Sequence, residues 1–347
     1  YPAISISAAR QKQVNAKAAL IEGRDPGSKF NDTSTPAVKC FRHIAEMWHA
    51  NRKSSLVEAH AARVWSRLEN DVLPSLGDRD ISEITPPEIL KIVRKIEERG
   101  ALDISRRAKQ SISQIFRFAI ASGWTTSDPT IGLDGALKPK PRVRHMSALP
   151  AADLPGFLLK LDNYDEDGSR RAEVTKRALQ LILLTWVRTT ELRMVTAAEF
   201  ENLETDEPLW RIPASRMKMA REHLVPLSQQ AGKIVRVMVE ESTSPFLFQG
   251  LKGDKPISEN TMIFALYRLG YHSRQTVHGF RRLASTWANE QLVEYGEQGI
   301  WIKRYHEDWI ELQLAHSEKN AVRGAYNAAE YIKPRRLMMQ DWANYLD

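Results

Sequence analysis

The sequence is poor in several features that would direct a reading elsewhere. Cys40 is the one cysteine among 347 residues, which excludes an internal disulfide and leaves no thiolate cluster for zinc or iron–sulfur chemistry. That usage fits a reducing, cytoplasmic setting. No run approaches the roughly 20 apolar residues that a membrane helix needs, and nothing at the start resembles a secretory signal, so no membrane partner is expected. HExxH is absent, and the histidines at 272, 278, 306 and 316 match no zinc spacing and have no paired carboxylates beside them. No metal ligand and no cofactor is therefore expected. Repeats and low-complexity tracts are missing too. Charge of one sign is only mildly in excess: 50 Lys and Arg against 43 Asp and Glu give +7, which suits a polyanionic partner and equally suits mere solubility.

What is present is ample apolar material in a helical pattern. The chain is too long for one ordinary core, so two or three domains are expected. Ser7 and the following AARQKQVNAKAALIEG read as a capped helix closed by Gly23. A turn-rich stretch follows, with a linker at 31–36. Apolar residues at spacings of three and four then predict helices over 38–51, 55–72, 86–99 and 103–122, a helical domain over 37–133. The last of these, SRRAKQSISQIFRFAI, carries Arg106, Arg107 and Lys109 near one end, suited to phosphate contacts, and Ile112, Ile115, Phe116 and Phe118 for packing. Residues 134–148 form a basic, proline-containing linker, where Lys138, Lys140, Arg142 and Arg144 surround Pro139 and Pro141; it is either a solvated hinge or a strap along a phosphate backbone.

The region 149–347 changes character. AEVTKRALQLILLTW is a strongly apolar helix, and LWRIPASRMKMAREHLVPLS has two extended stretches around a basic tip, the pattern of a β-hairpin. Helices are predicted at 229–241, 258–270, 279–293, 307–315 and 319–327, with a last one after Pro334. Four clusters stand out along this region. TWVRTTELR sets Arg188 one helical turn from Glu191, able to pair with it or brace the next turn. MKMAREH puts Lys218 at the hairpin tip. HGFRR places His278 and Arg281 on one helix face, where both can address one anion. LAHSEKNAVRGAYN holds His316 and Tyr326 in a setting rich in small residues. Each alone has an ordinary structural explanation, as an ion pair, an exposed lysine, a helix-start histidine or a buried tyrosine. Together they supply what phosphoryl transfer to a tyrosine requires. A phenol with a pKa near 10 needs a proton acceptor and a positive field, guanidiniums present paired donors to phosphate oxygens, and a lysine can protonate a leaving alkoxide.

In order and content, TWVRTTELR, MKMAREHLVPLS, HGFRR and LAHSEKNAVRGAYN resemble the tyrosine recombinases, and the ending YNAAEYIKPRRLMMQDWANYLD resembles their phage and genomic-island integrase branch. The resemblance implies a mainly α chain with a small β-sheet in an α+β catalytic domain over 149–347. A helical core-binding domain over 37–133 would complete a C-shaped clamp on double-stranded DNA at core-type attachment sites. It implies site-specific strand exchange through a 3′-phosphotyrosine, without metal or ATP, to integrate or excise a mobile element. Tyr326 would be the nucleophile, Arg188 and Arg281 the phosphate clamp, Lys218 the general acid, His278 an aid to proton transfer and His316 a donor to a phosphate oxygen. It also implies a tetramer on paired sites, DNA-bending accessory proteins, and a nucleoid-associated location in a bacterial or phage-infected cell; in free solution a monomer is expected. Residues 1–30 resemble the end of an amino-terminal arm-binding domain. Trp186 stands where many relatives have glycine, which should alter packing beside Arg188. Leu337, Met338, Trp342 and Leu346 give the chain's end an apolar stripe that packs on its own catalytic domain or on a neighbour's. Two alternatives stay open at this point: a type IB-like topoisomerase and a catalytically inactive DNA-binding regulator.

Overall fold

The computed structural model describes residues 10, 13, 14, 17, 40–139, 147–164, 168–217, 219–250, 254–296, 299–316 and 329–347. The helix expected over 319–327, the linker at 31–36 and most of the segment 1–30 lie outside them. The chain divides into two compact units, Tyr1–Val143 and Arg144–Asp347, and among the described residues no helix is long and apolar enough to cross a membrane.

The first unit is helical: α1 (Phe41–Lys53), α2 (Glu58–Arg67), α3 (Pro86–Glu98) and α4 (Leu102–Ala121). α3 shows how sequence sets an element. Thr85 caps its start, Glu88 returns a carboxylate oxygen to the Thr85 N–H at 2.9 Å, and proline occupies the first turn, where no N–H is required. Ile89, Ile92, Val93 and Ile96 then fall on one stripe and are buried. The stripe of α4, including Ala108, Ile112, Ile115, Phe116 and Ala119, completes the same core. The helix expected over 55–72 departs from a regular α-helix after Arg67, where Leu68–Val72 form one wider π turn. The core also reaches beyond the expected end of this domain: Leu133–Ala136 make a 3₁₀ turn and Leu137 is buried.

The second unit is built around α6 (Arg170–Thr185), whose last five residues are all buried. Packed with it are α5 (Leu154–Asp162), α7 (Thr189–Arg193), α8 (Gln229–Glu240), α9 (Thr261–Arg268), α10 (Gly279–Glu290), α11 (Glu307–Gln313) and α12 (Ile332–Leu346). The expected hairpin is present as β2 (Leu209–Ile212) against β3 (His223–Pro226), with Trp210 opposite Val225, and a short β1 (Phe200–Glu201) adds a third antiparallel strand. A second hairpin was not anticipated. The helix expected to run to 293 stops at Glu290, and β4 (Leu292–Tyr295) pairs with β5 (Ile300–Lys303). Its residues are mostly exposed, so no core demanded helix here, and the β-branched and aromatic content decided the local structure.

α12 packs on its own unit. Met338, Met339, Trp342 and Ala343 are buried, and the Trp342 Nε1–H donates to the Leu183 carbonyl at 2.9 Å. The expected stripe is corrected at one position: Leu337 faces outward at 68% exposure. Trp342 also meets Trp186, with ring centroids 6.0 Å apart at a steep angle. Trp186 caps α6 in the left-handed conformation, φ 61°, where glycine would fit without cost and an L side chain loses about 1 kcal/mol. Burial of the indole ring works against that loss, while its Nε1–H is buried without a hydrogen-bond partner among the described residues.

Candidate active site

The site grows from the end of α11. The N–H of Ala315 bonds the Leu312 carbonyl at 2.9 Å and that of His316 bonds the Glu311 carbonyl at 3.0 Å, a Schellman turn with Ala315 at φ 48°. Such a turn leaves the carbonyls of residues 313, 314 and 315 without helical donors, at the negative end of the helix. Side chains fill two of these positions, and a third faces the remaining one. Arg188 Nη2 donates to the Ala315 carbonyl at 2.8 Å and Arg281 Nη2 donates to the Leu314 carbonyl at 2.5 Å, while the buried ring of His223 faces the Gln313 backbone and keeps its Nε2 without a hydrogen-bond partner among the described residues.

Each arginine has a second support. Arg188 opens α7, with Glu191 accepting from its backbone N–H at 2.6 Å and from Nη1 at 2.7 Å. Glu191 thus both pairs with the side chain and braces the turn, the two roles left open by sequence. Arg281 is 4% exposed, and its Nη1 donates to the Trp186 carbonyl. The left-handed turn at Trp186 is therefore what aims that carbonyl. Burial first, and then the charge of Arg188, lowers the Arg281 guanidinium to about 10, still protonated at neutral pH.

The two histidines flank this pair. His278 precedes α10, and partial burial followed by Arg281, Arg188 and His316 hold it below the ordinary imidazole range. The glycine of its HGFRR motif has a steric reason: a Cβ on Gly279 would lie 2.2 Å from the Ser147 carbonyl oxygen. His316 Nδ1 lies 2.8 Å from Glu311 Oε2 and its Nε2 lies 3.4 Å from Arg281 Nη2. A carboxylate only accepts, so Nδ1 carries a proton, and Nε2 is directed toward the guanidinium.

The structure thus brings together Arg188, Arg281, His278 and His316. Lys218 and Tyr326 lie outside the described residues, as do Lys140, Arg142 and Arg144. Among the described residues, no group of three His, Cys, Asp or Glu side chains is placed to hold a metal ion. In the first unit the candidate DNA contacts are already engaged. Arg106 donates to the Lys138 carbonyl at 2.7 Å, Arg107 pairs with Asp103 at 2.8 Å, and Lys109 pairs with Asp134 at 2.7 Å. The Lys138 backbone N–H is held by Glu97 at 3.1 Å. Such partly exposed pairs are weak enough to yield to a phosphate.

Sequence reasoning missed three buried residues: His223, Gln313 and Arg335. A signal existed for His223. It alternates with Val225 on β3, so both point to the same, buried face. Burial first, then Arg335, Arg188 and Arg281, push its pKa from 6.5 to about 3. The unfolded chain therefore takes up this proton first, and the stability held above pH 6.5 is lost as pH falls toward the folded value. At about 1.4 kcal/mol per unit, roughly 2 kcal/mol should disappear between pH 6.5 and 5. Denaturant titrations of wild type and His223→Gln should show the wild type losing that much more over this interval. Parallel curves would remove the assignment of a neutral, buried His223.

Comparison with known proteins supplies the family. Residues 41–136 match the model of the phage integrase central domain, and residues 158–296 match that of the phage integrase family. The integrase of Enterobacteria phage P4 is 36% identical over 366 residues, covering all of this chain and 79% of that protein. Prophage integrase IntZ of Escherichia coli K12 is 36% identical over 353 residues, covering all of this chain and 82% of that protein. In fold, a lambda integrase tetramer bound to a Holliday junction matches 91% of this chain and 89% of its own, with a TM-score of 0.61 at 14% identity. The Tn1549 transposon integrase in complex with a circular intermediate DNA matches 85% and 98%, with a TM-score of 0.57 at 15% identity. The 36% identity to these two integrases over the whole chain, together with both family models, decides the assignment: the chain belongs to the phage integrase family and is a site-specific recombinase of the tyrosine class.

Proposed function

We propose that this recombinase cuts and rejoins double-stranded DNA through a 3′-phosphotyrosine, integrating or excising a mobile element. The observation that carries the reading is the convergence of two buried or half-buried guanidiniums and two imidazoles around the carbonyls that end α11. Tyr326 Oη attacks phosphorus; the Oη–P bond forms, the P–O5′ bond breaks, and Lys218 gives a proton to the departing 5′ oxygen. Arg188 and Arg281 hold the non-bridging oxygens, where charge builds in the transition state. His278, neutral at pH 7 because its pKa is lowered, accepts the phenolic proton. His316 donates Nε2–H to a phosphate oxygen when its ring carries both protons, with Glu311 accepting from Nδ1. Return attack by a 5′ hydroxyl of the partner strand reverses each step, so the bond energy is conserved and no ATP is needed.

The DNA partner follows from the same chemistry, with the basic helix α4 and the strap from Lys138 supplying phosphate contacts in the first unit. Lambda integrase, whose fold this chain shares, is seen as a dimer on a core site and as a tetramer on a Holliday junction; we extend that tetrameric assembly on paired sites to this protein. The test is a suicide duplex built from the DNA ends of the element that encodes the chain. The wild-type protein should form a covalent adduct at one phosphate, at an undiminished rate in the presence of a chelator. Indifferent nicking along the duplex would favour a topoisomerase, and a requirement for added metal would overturn the mechanism.

A further inference from the structure

We infer that Gln313 is a positioning residue of the phosphate clamp, and that Arg335 from α12 holds it in place. The inference rests on the recombinase reading for its catalytic consequence and on geometry for its substance. Gln313 is fully buried and stands at the last position of α11. Its Nε2 donates to the Thr185 carbonyl at 2.9 Å. Thr185 ends α6, immediately before the left-handed Trp186 whose carbonyl receives Arg281 and three residues before Arg188. Its Oε1 accepts from Arg335 Nε at 3.2 Å and Nη2 at 2.8 Å. Its backbone immediately precedes the two carbonyls, of Leu314 and Ala315, on which Arg281 and Arg188 dock. One amide therefore ties together the two backbone segments that carry every carbonyl partner of the clamp.

Arg335 is an unusual residue to bury in order to hold an amide. It is wholly inaccessible, and the Glu330 carboxylate is 4.0 Å from it. Its closer partners are neutral oxygens: Gln313 Oε1, the Leu224 carbonyl at 2.6 Å and the Glu330 carbonyl at 3.1 Å. Leu224 follows His223 on β3, so the same guanidinium also fixes the strand that delivers His223. A cation without a close carboxylate is costly to bury, and an apolar side chain would fill the space more cheaply. What only a guanidinium offers here is a planar fork that reaches the amide, the strand and the turn before α12 at once. The amide is equally specific. Glutamate in its place keeps the acceptor for Arg335 but has no donor for Thr185, and methionine has neither.

The test uses the full chain. Gln313→Glu is the first variant, because its carboxylate pairs with Arg335 and preserves folding, with the melting temperature within about 5 °C of wild type. Binding to the suicide duplex should stay within about threefold, whereas single-turnover adduct formation should slow by about 10²-fold, the cost of a small misplacement of clamping groups. Gln313→Met should show the same split at lower stability. An activity-free readout accompanies both: the Arg281 guanidinium N–H signals, identified by their loss in Arg281→Lys, should exchange with solvent at least about tenfold faster in each variant. Unchanged exchange, or a loss of binding and cleavage in equal measure that follows melting temperature, would overturn the inference. If wild type itself forms no adduct, the recombinase reading fails, and the exchange comparison still decides the role of Gln313.

Discussion

Replacing Tyr326 with Phe should abolish covalent capture of the suicide duplex while leaving duplex binding within about threefold of wild type. The change removes one oxygen and keeps the ring. No described group in the site can take over. Arg188 and Arg281 have no lone pair to offer, and attack by His278 or His316 would leave a phosphoramidate, which is acid-labile. The phenol itself is a poor nucleophile at neutral pH, with roughly one part in 10³ ionised at its ordinary pKa. In the proposed mechanism its reaction depends on the field of the cations that meet at the end of α11 and on a neutral imidazole. His278 meets that second need because burial, Arg281, Arg188 and His316 keep it deprotonated. Adduct would be read on a denaturing gel after hours of incubation, with binding measured separately by anisotropy. An acid-stable adduct that persists in Tyr326→Phe would dismiss the tyrosine as nucleophile and the proposed chemistry with it.

The charged members of the site were legible in the sequence because their chemistry is scarce and their order informative. Arg188, His278, Arg281 and His316 were found as isolated motifs, and three of them sit at element boundaries that sequence signals place well. What could not be read was how they are held. The carbonyls of Trp186, Leu314 and Ala315 are backbone groups, and nothing in their side chains announces them. Two of these turns rest on left-handed Trp186 and Ala315, where glycine would have given the geometry away. Gln313 shares the inner face of α11 with Ile310, but a polar side chain at the end of a short helix reads as exposed unless the facing elements are known. The β4–β5 hairpin was lost for the opposite reason: a helix with an inward stripe runs directly into residues that no core constrains, and periodicity carries no warning of the change.

Arg281→Lys should slow adduct formation by about 10²–10³-fold, with a smaller loss in duplex affinity. Charge alone would suggest a mild change; the surroundings predict otherwise. Of the five guanidinium N–H donors, one is committed to the Trp186 carbonyl and one to the Leu314 carbonyl. A further donor on Nη2 faces His316 Nε2, and the plane of the fork is set by those two carbonyls. An ammonium on a flexible stem has three donors radiating from one atom. Satisfying the same carbonyls leaves it one, with no fixed direction. Burial compounds the loss. At this 4% exposed position the guanidinium already sits at about 10, lowered by burial and by Arg188. A lysine starts from a lower intrinsic value, near 10.4, and in the same surroundings is driven toward the neutral form near physiological pH. The variant should therefore recover part of its rate as pH is lowered from 8 to 6, in contrast to wild type, whose Arg281 does not titrate there. Single-turnover rates across that range, with binding measured in parallel, decide the matter. A loss of less than about tenfold would mean that Arg281 contributes charge and not geometry, and the carbonyl scaffold at the end of α11 would lose its catalytic meaning.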